Sequence, residues 1–216
     1  MKPVAVILSG CGVFDGSEIH ESVITLLALD RNGAKYECLA PQIKFDVVDH
    51  TTQQATGEQR DVFTESARIA RGNIKSLATA LADDYSAMIF PGGFGAAKNL
   101  SDFATKGENC TINPDVLKFA KAMAAQQKPA GFICIAPNLI TAIYGKGITL
   151  TIGQDKETVE KLTKMGAVHQ NCSVTEYVVD EQHKVVTTPA YMLAESIGQA
   201  AFGIERLVEQ VLALRS

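Results

Sequence analysis

Basic side chains are outnumbered in this chain, 20 Lys and Arg against 24 Asp and Glu, for a net charge of −4. No stripe of them follows any segment, which argues against nucleic acid as a partner. No apolar stretch approaches the roughly eighteen residues of a membrane span, so no membrane association is expected. Met1-Lys2-Pro3-Val4 runs straight into a strand-like segment, without the apolar region and cleavage site of a signal peptide. Cysteine is scarce and unpaired in pattern: positions 11, 38, 110, 134 and 172 are odd in number and contain no C-x-x-C. A disulfide framework is therefore not expected, and a reducing cytoplasm is the expected location. His20, His50, His169 and His183 are scattered. His169 and Cys172 lie three apart but lack the further ligands zinc needs, so no metal site is expected. Repeats, low-complexity tracts and linkers are absent as well. Residues 1–216 read as one domain, with 46% hydrophobic residues and ample length for a core.

What is present alternates between strand and helix. Val4 to Ser9 is short, apolar on both faces and bounded by glycine, as a buried parallel strand should be. A glycine-rich loop, residues 10–16, follows, and Ser17 is positioned to cap a helix that runs to Asn32 before Gly33. Further strands are expected at Lys35–Ala40, Phe45–Val48, Ala87–Phe90, Ala130–Ile133 and Ile148–Ile152, with a hairpin of Val174–Val179 and Lys184–Thr188. Helices are expected at Asp61–Arg71, Asn113–Gln127, Ala136–Tyr144, Lys156–Met165 and Met192–Leu214. This order implies an α/β sandwich, a mostly parallel sheet with helices on both faces. Ligands of such folds sit outside the carboxyl ends of the strands, so the loops at 10–18, 91–99 and 134–137 carry the interest.

Cys134 stands at the last of these loops, between an apolar strand and a helix start. Backbone N–H donors and the positive end of a helix dipole favour thiolate there, and thiolate is the nucleophile. The competing reading is a small buried core residue. Cys11, in the first glycine loop, is the second choice of reactive thiol. The loop Pro91 to Leu100 is glycine-rich, which lets backbone amides approach a ligand closely. Gly10-x-Gly12-x-x-x-Gly16 is near a dinucleotide fingerprint, but its spacing is one residue too long. The second strand also ends Cys38-Leu39-Ala40-Pro41, without the ribose-binding carboxylate. No cofactor is expected. Glu18 and Glu21, at the start of the first helix, either complement its dipole or reach back to the thiol as a proton shuttle.

Taken together these segments resemble the ThiJ/PfpI superfamily, related in fold to class I glutamine amidotransferases, and within it the ElbB type. The matching stretches are Leu8 to Glu21, Pro91 to Leu100, Cys134 to Pro137, Leu150 to Gly153 and Val186 to Met192. The resemblance implies a flavodoxin-like three-layer sandwich, a homodimer, and Cys134 at a nucleophile elbow. The superfamily's helix glutamate lies about twelve residues before the glycine ending that helix; counting back from Gly33 selects Glu21 over Glu18. Gly93 and Ile135 correspond to the backbone amides that hold an oxyanion. Gly92, Gly12, Glu18 and Asn99, from the same loops, are the expected substrate-binding residues. Ile135 stands where protease-like members carry histidine, which argues against a peptidase. Ala136 replaces a glycine of many relatives. No counterpart of the amidotransferase His and Glu is evident near the C-terminus, which argues against glutamine hydrolysis.

The function these features imply is a cofactor-independent glyoxalase, a lyase of the hydro-lyase class. It would convert glyoxal to glycolate through a cysteine hemithioacetal, with protein deglycase activity as a related expression of the same thiol. The alternative is a redox-responsive regulatory or binding protein affecting isoprenoid biosynthesis, with Cys134 as the oxidisable group.

Overall fold

Four consecutive apolar residues without solvent exposure, Val4–Ile7, form the inner strand β1. A computed structural model of the chain describes residues 1–215. After β1 come α1 (Ile19–Arg31), β2 (Tyr36–Ala40), β3 (Lys44–Asp49), β4 (Gln54–Asp61), α2 (Val62–Ile69), β5 (Ile74–Ser76) and β6 (Ala87–Phe90). The second half contains α3 (Gly95–Lys98), α4 (Phe103–Lys106), α5 (Pro114–Ala125), β7 (Ala130–Ile133), α6 (Ile140–Tyr144), β8 (Thr149–Leu150), α7 (Lys156–Lys164), β9 (Val168–His169), β10 (Val178–Asp180), β11 (Val185–Thr188) and α8 (Ile197–Ala213).

Seven strands form the main sheet in the order β10-β11-β7-β6-β1-β2-β5. Every pairing is parallel except β10 with β11, which adds an antiparallel edge. The chain builds outward from β1 to β2 and β5, then returns to the other side of β1 for β6. That reversal leaves a crevice at the carboxyl ends of β1 and β6. Helices cover both faces, in the flavodoxin-like, class I glutamine amidotransferase-like arrangement.

Packing on β7 shows how tightly the layers are fitted. Gly131 faces α8, where a Cβ would come within 2.7 Å of Leu207 Cδ2 and 3.1 Å of Val211 Cγ2. Its neighbour Phe132 points to the opposite face, as strand alternation requires. There it stacks on Phe90 of β6, with centroids 4.8 Å apart and planes 3° from parallel.

Several expected elements differ. Ile148–Ile152 has the alternating apolar pattern of a strand, with Ile148, Leu150 and Ile152 all inaccessible, yet only Thr149–Leu150 is strand. It pairs with β9 in a separate two-stranded sheet. The edge it would join is taken by the β10–β11 hairpin. Side chains of that hairpin satisfy its amides instead: Asp180 Oδ2 accepts from Thr149 N at 2.8 Å and Thr187 Oγ1 from Thr151 N at 2.9 Å. The helix expected from Ala136 begins as a 3₁₀ turn, Ala136–Leu139, and becomes α only at Ile140. The last helix starts at Ile197 rather than Met192, because Ser196 Oγ accepts from Gln199 N and caps it there. The strand β4 went unexpected: most of its residues are exposed and polar, without apolar alternation, and it forms a hairpin with β3 beside the main sheet.

Phe132→Ala removes one half of the stacked pair inside this core, and a loss of about 3–5 kcal/mol is expected. Urea denaturation followed by circular dichroism checks it through a lowered midpoint at an unchanged slope.

Candidate active site

The carboxyl ends of β1, β6 and β7 lie side by side in the sheet, so the loops after them meet. Backbone bonds fasten the first two to each other: Glu18 N donates to Gly92 O at 2.9 Å, Phe94 N to Val13 O at 2.8 Å, and Gly95 N to Gly16 O at 2.9 Å. Such contact needs glycine. A Cβ on Gly93, whose φ is +94°, would run into Glu18 N and Gly16 O. Ser17 does not cap α1 as expected. Its buried Oγ accepts from Ser9 N at 2.8 Å, pinning the loop to the end of β1, and Glu18 takes the cap, its Oε2 accepting from Glu21 N at 2.7 Å.

Cys134 occupies a sharp turn after β7 with φ +60°. A non-glycine residue held there stores about 1–3 kcal/mol of strain, and it persists only where neighbours fix it. Cys134 N donates to Thr188 O at 3.0 Å. Asn138, fully buried, donates from Nδ2 to Ile135 O at 2.7 Å, while its Oδ1 accepts from Ser101 Oγ at 2.7 Å. The sulfur is buried and receives the backbone N–H groups of Gly93 and Ile135.

Glu21 reaches the same sulfur. It is 0% exposed and hydrogen-bonded to Cys134. Its Oε2 accepts from Gly92 N at 2.8 Å and its Oε1 from Tyr191 N at 3.2 Å. Burial, and next the charge of Glu18, push this carboxyl up to about 8, against the pull of the two backbone N–H groups and the thiol. Gly92 is obligatory beside it, since a Cβ there would overlap Cys134 Cβ and Glu21 Oε2.

The thiol departs from the expectation of a favoured thiolate. Burial, and next the charge of Glu21, hold Cys134 well above the usual thiol range, and the Gly93 and Ile135 amides only oppose this. Two features explain it. The following helix opens as a four-residue 3₁₀ turn, whose dipole is short. The nearest charge is a carboxylate rather than a cation. A protonated Glu21 removes that repulsion and leaves the amide donors to stabilise sulfur charge, so thiol and carboxyl titrate as one unit.

A cavity of about 430 Å³ opens above the sulfur, lined by Glu18, Gly93, Cys134, Ile135 and Tyr191 among others. Four of the expected residues thus share one wall, and Glu21 and Gly92 lie directly behind it. Gly12 and Asn99 do not reach it. Gly12 packs against His50 and Asp15, and Asn99 Nδ2 donates to Ser9 O and Asp15 O, both at 2.8 Å, bracing the first loop from below. Cys11 lines a different groove of about 640 Å³ between α1 and α2, and burial raises its thiol too. That groove is the larger of the two; Glu65 acts on the Cys11 thiol through its charge, whereas Glu21 is hydrogen-bonded to Cys134.

Comparison with known proteins follows from this geometry. The human glutamine amidotransferase-like class 1 domain-containing protein 3, mitochondrial, is 45% identical over 98% of this chain and 82% of its own length. The rat ES1 protein homolog, mitochondrial, is 44% identical over 98% of the chain and 83% of its own. The chain belongs to the ES1 family. No family model matches it. Among solved structures, an isoprenoid biosynthesis protein with an amidotransferase-like domain from Ehrlichia chaffeensis superposes with a TM-score of 0.93 at 33% identity, over 100% of both chains. Glyoxalase III of Candida albicans (TM-score 0.66, 14% identity, 99% and 97% covered) and DJ-1beta of Drosophila melanogaster (0.59, 17%, 99% and 96%) share the fold. The ThiJ/PfpI resemblance therefore holds for the fold alone. The cytoplasmic expectation is overturned: the curated ES1 relatives, including that of Danio rerio, are named as mitochondrial. Unpaired cysteines report a reducing environment without saying which compartment supplies it.

Sequence reasoning missed two residues of this ES1-family site, Tyr191 and Asn138. Tyr191 donates its backbone N–H to Glu21, and its hydroxyl shares a 2.7 Å hydrogen bond with the exposed His20 Nδ1. Its position inside the Val186–Met192 match was the available signal. Asn138 carried none, because a polar residue four after the cysteine looks the same in sequence whether buried or exposed.

Glu21 also makes stability depend on pH. Its folded-state value of about 8 lies above the ordinary 4.5, so the native state keeps a proton that the unfolded chain releases. Stability therefore falls as pH rises through that window and levels off above it. Chemical denaturation from pH 5 to pH 9 should show this decline in the wild type, and Glu21→Gln should flatten it whatever the variant's absolute stability.

Proposed function

We propose that this protein is a cofactor-independent glyoxalase of the ElbB type, converting glyoxal to glycolate. One observation carries the reading: a buried thiol, a carboxyl with a raised proton affinity and two backbone N–H donors converge on one cavity wall. Cys134 sulfur adds to one aldehyde carbon, forming the C–S bond. The carbonyl π pair moves to oxygen, where the N–H groups of Gly93 and Ile135 stabilise it, and the thiol proton ends on that oxygen by way of Glu21. Glu21, left as the carboxylate by that relay, takes the hydrogen from the hemithioacetal carbon as a proton and returns it to the neighbouring carbon through an enediol, while the hydroxyl proton on the first carbon's oxygen passes to the second oxygen. The first carbon is thereby oxidised to a thioester and the second reduced to an alcohol. Water cleaves the thioester, releasing glycolate and restoring the thiol, so no external oxidant or reductant enters. The fold shared with a glyoxalase III supports an activity of this class. A homodimer is part of the same reading, supported by the exposed apolar stripe Ile19, Val23 and Leu27 on α1.

The second reading, a redox-responsive regulator of isoprenoid output, is favoured by the name of the Ehrlichia relative, an isoprenoid biosynthesis protein. The two part on turnover. Cys134→Ala and Cys134→Ser are expected to abolish glycolate formation from glyoxal, and Glu21→Gln to slow it by about 10²–10⁴-fold, the usual contribution of a positioned proton carrier. Glycolate is quantified by chromatography against the uncatalysed reaction. Wild-type turnover no faster than that of Cys134→Ala sinks the glyoxalase and leaves the regulator.

A further inference from the structure

The cavity is far larger than a two-carbon dialdehyde requires; at about 430 Å³ it falls in the range that holds drug-sized ligands. Its lining is uneven in charge. Glu18 and Asp155 contribute carboxyl groups, and no Lys, Arg or His is among the lining residues. Both acids are fixed in place by helix ends. Glu18, 8% exposed, caps α1 through Glu21 N, and Asp155 caps α7, its Oδ2 accepting from Thr158 N at 2.9 Å. The hydrogen bonds from Thr158 hold Asp155 below the usual carboxylate range, so it is charged. The charge of Glu18 is felt by both Glu21 and Tyr191. The cations around it are engaged elsewhere: Lys161, whose charge is felt by Asp155, pairs with Glu157 at 2.6 Å. Lys98 donates to Phe14 O at 2.8 Å and lies over the Phe94 ring, and His20 is reached only through the Tyr191 hydroxyl. Val13, Phe94, Ile135 and Met192 add apolar surface to the lining.

We infer that this cavity selects by charge: it admits uncharged or cationic carbonyl compounds and rejects those bearing a carboxylate or phosphate. The inference rests on reading Cys134 as the reactive nucleophile. Buried Glu18, among apolar neighbours, acts on an entering anion with little screening, and exposed Asp155 adds a second, more screened negative charge at the rim. The same field acts on the outcome of the reaction. Rearrangement of a neutral dicarbonyl yields a 2-hydroxy carboxylate, so the substrate enters uncharged and the product leaves as an anion facing Glu18 and Asp155. Product release is driven by the charge that the chemistry itself creates.

Paired alkylating reagents test this without requiring turnover. Iodoacetamide and iodoacetate attack through the same carbon with the same leaving group and differ in charge. Both consume the same thiolate, so their rate ratio cancels any change in thiol ionisation. Site-resolved mass spectrometry reads that ratio at Cys134 and at half-buried Cys172, whose charged neighbours Glu176 and Arg206 are opposite in sign. The amide-to-acid ratio at Cys134 should exceed that at Cys172 by about tenfold or more, as like-charge exclusion from a poorly screened cleft predicts. Glu18→Gln and Asp155→Asn keep oxygen caps on their helices; each should lower the ratio, and the double variant should bring it to that of Cys172. Equal ratios at the two cysteines in the wild type overturn the inference. So does a ratio unmoved in a folded double variant, or a Cys134 that iodoacetamide cannot reach. Glycolate production measured in parallel separates the two questions. Charge-selective alkylation without turnover leaves the selection standing and removes the glyoxalase, and turnover with equal ratios does the reverse.

Discussion

A carboxyl group without solvent exposure, Glu21, joins four segments that are far apart in sequence. It hangs from the first turn of α1, accepts the N–H of Gly92 after β6, accepts the N–H of Tyr191 after β11, and meets the thiol of Cys134 after β7. A buried carboxyl is costly to ionise and costly to leave without partners. The surrounding loops are shaped by both demands. Glycine at 92 lets the backbone come close enough to donate, and the sharp turn at Cys134 brings the sulfur within reach. Glu18, one turn away, raises the proton affinity further, so the carboxyl holds its proton near neutral pH and serves as donor and acceptor in turn.

The sheet that supports this arrangement is fitted with little slack. Gly131 and Phe132, consecutive on β7, face α8 and the Phe90 ring respectively, so the strand leading into Cys134 is gripped on both sides. Asn138 then holds the exit of the turn through bonds to Ile135 O and Ser101 Oγ. The strain at Cys134 is thus opposed by bonds at its own amide, by a buried side chain four residues on, and by a closely packed strand before it.

How much of this was legible in the sequence depended on what each segment had to bury. The strands at the centre, Val4–Ile7, Ala87–Phe90 and Ala130–Ile133, are apolar throughout, and their alternation with helices announces a parallel sheet. The edge was less readable. Ile148–Ile152 has strand periodicity, but whether a pattern joins the main sheet is decided by what else competes for the edge, here the β10–β11 hairpin. β4 buries almost nothing and so carries no apolar signal at all. At the site, counting from Gly33 singled out Glu21, and the structure brings that residue to the sulfur. Loop membership alone was a weaker guide, for Gly12 and Asn99 share the loops without reaching the cavity. The direction of the thiol's acidity could not be read from a strand-to-helix junction, because it turns on burial and on a carboxyl contributed from more than a hundred residues away in the chain.

Position 92 divides the cavity into a part that can be rebuilt and a part that cannot. Any side chain there overlaps the cysteine and the glutamate at once, so the thiol, the carboxyl and the backbone between them form a floor with no free volume. The rest of the lining includes side chains from Thr158, Met192 and Phe94, none of which is hydrogen-bonded to that floor through its side chain. An engineer seeking a new substrate would leave 21, 92, 93 and 134 untouched and vary 94, 158 and 192. Divergence within the superfamily fold would be expected to follow the same line, with altered specificity written on the wall above an unaltered floor.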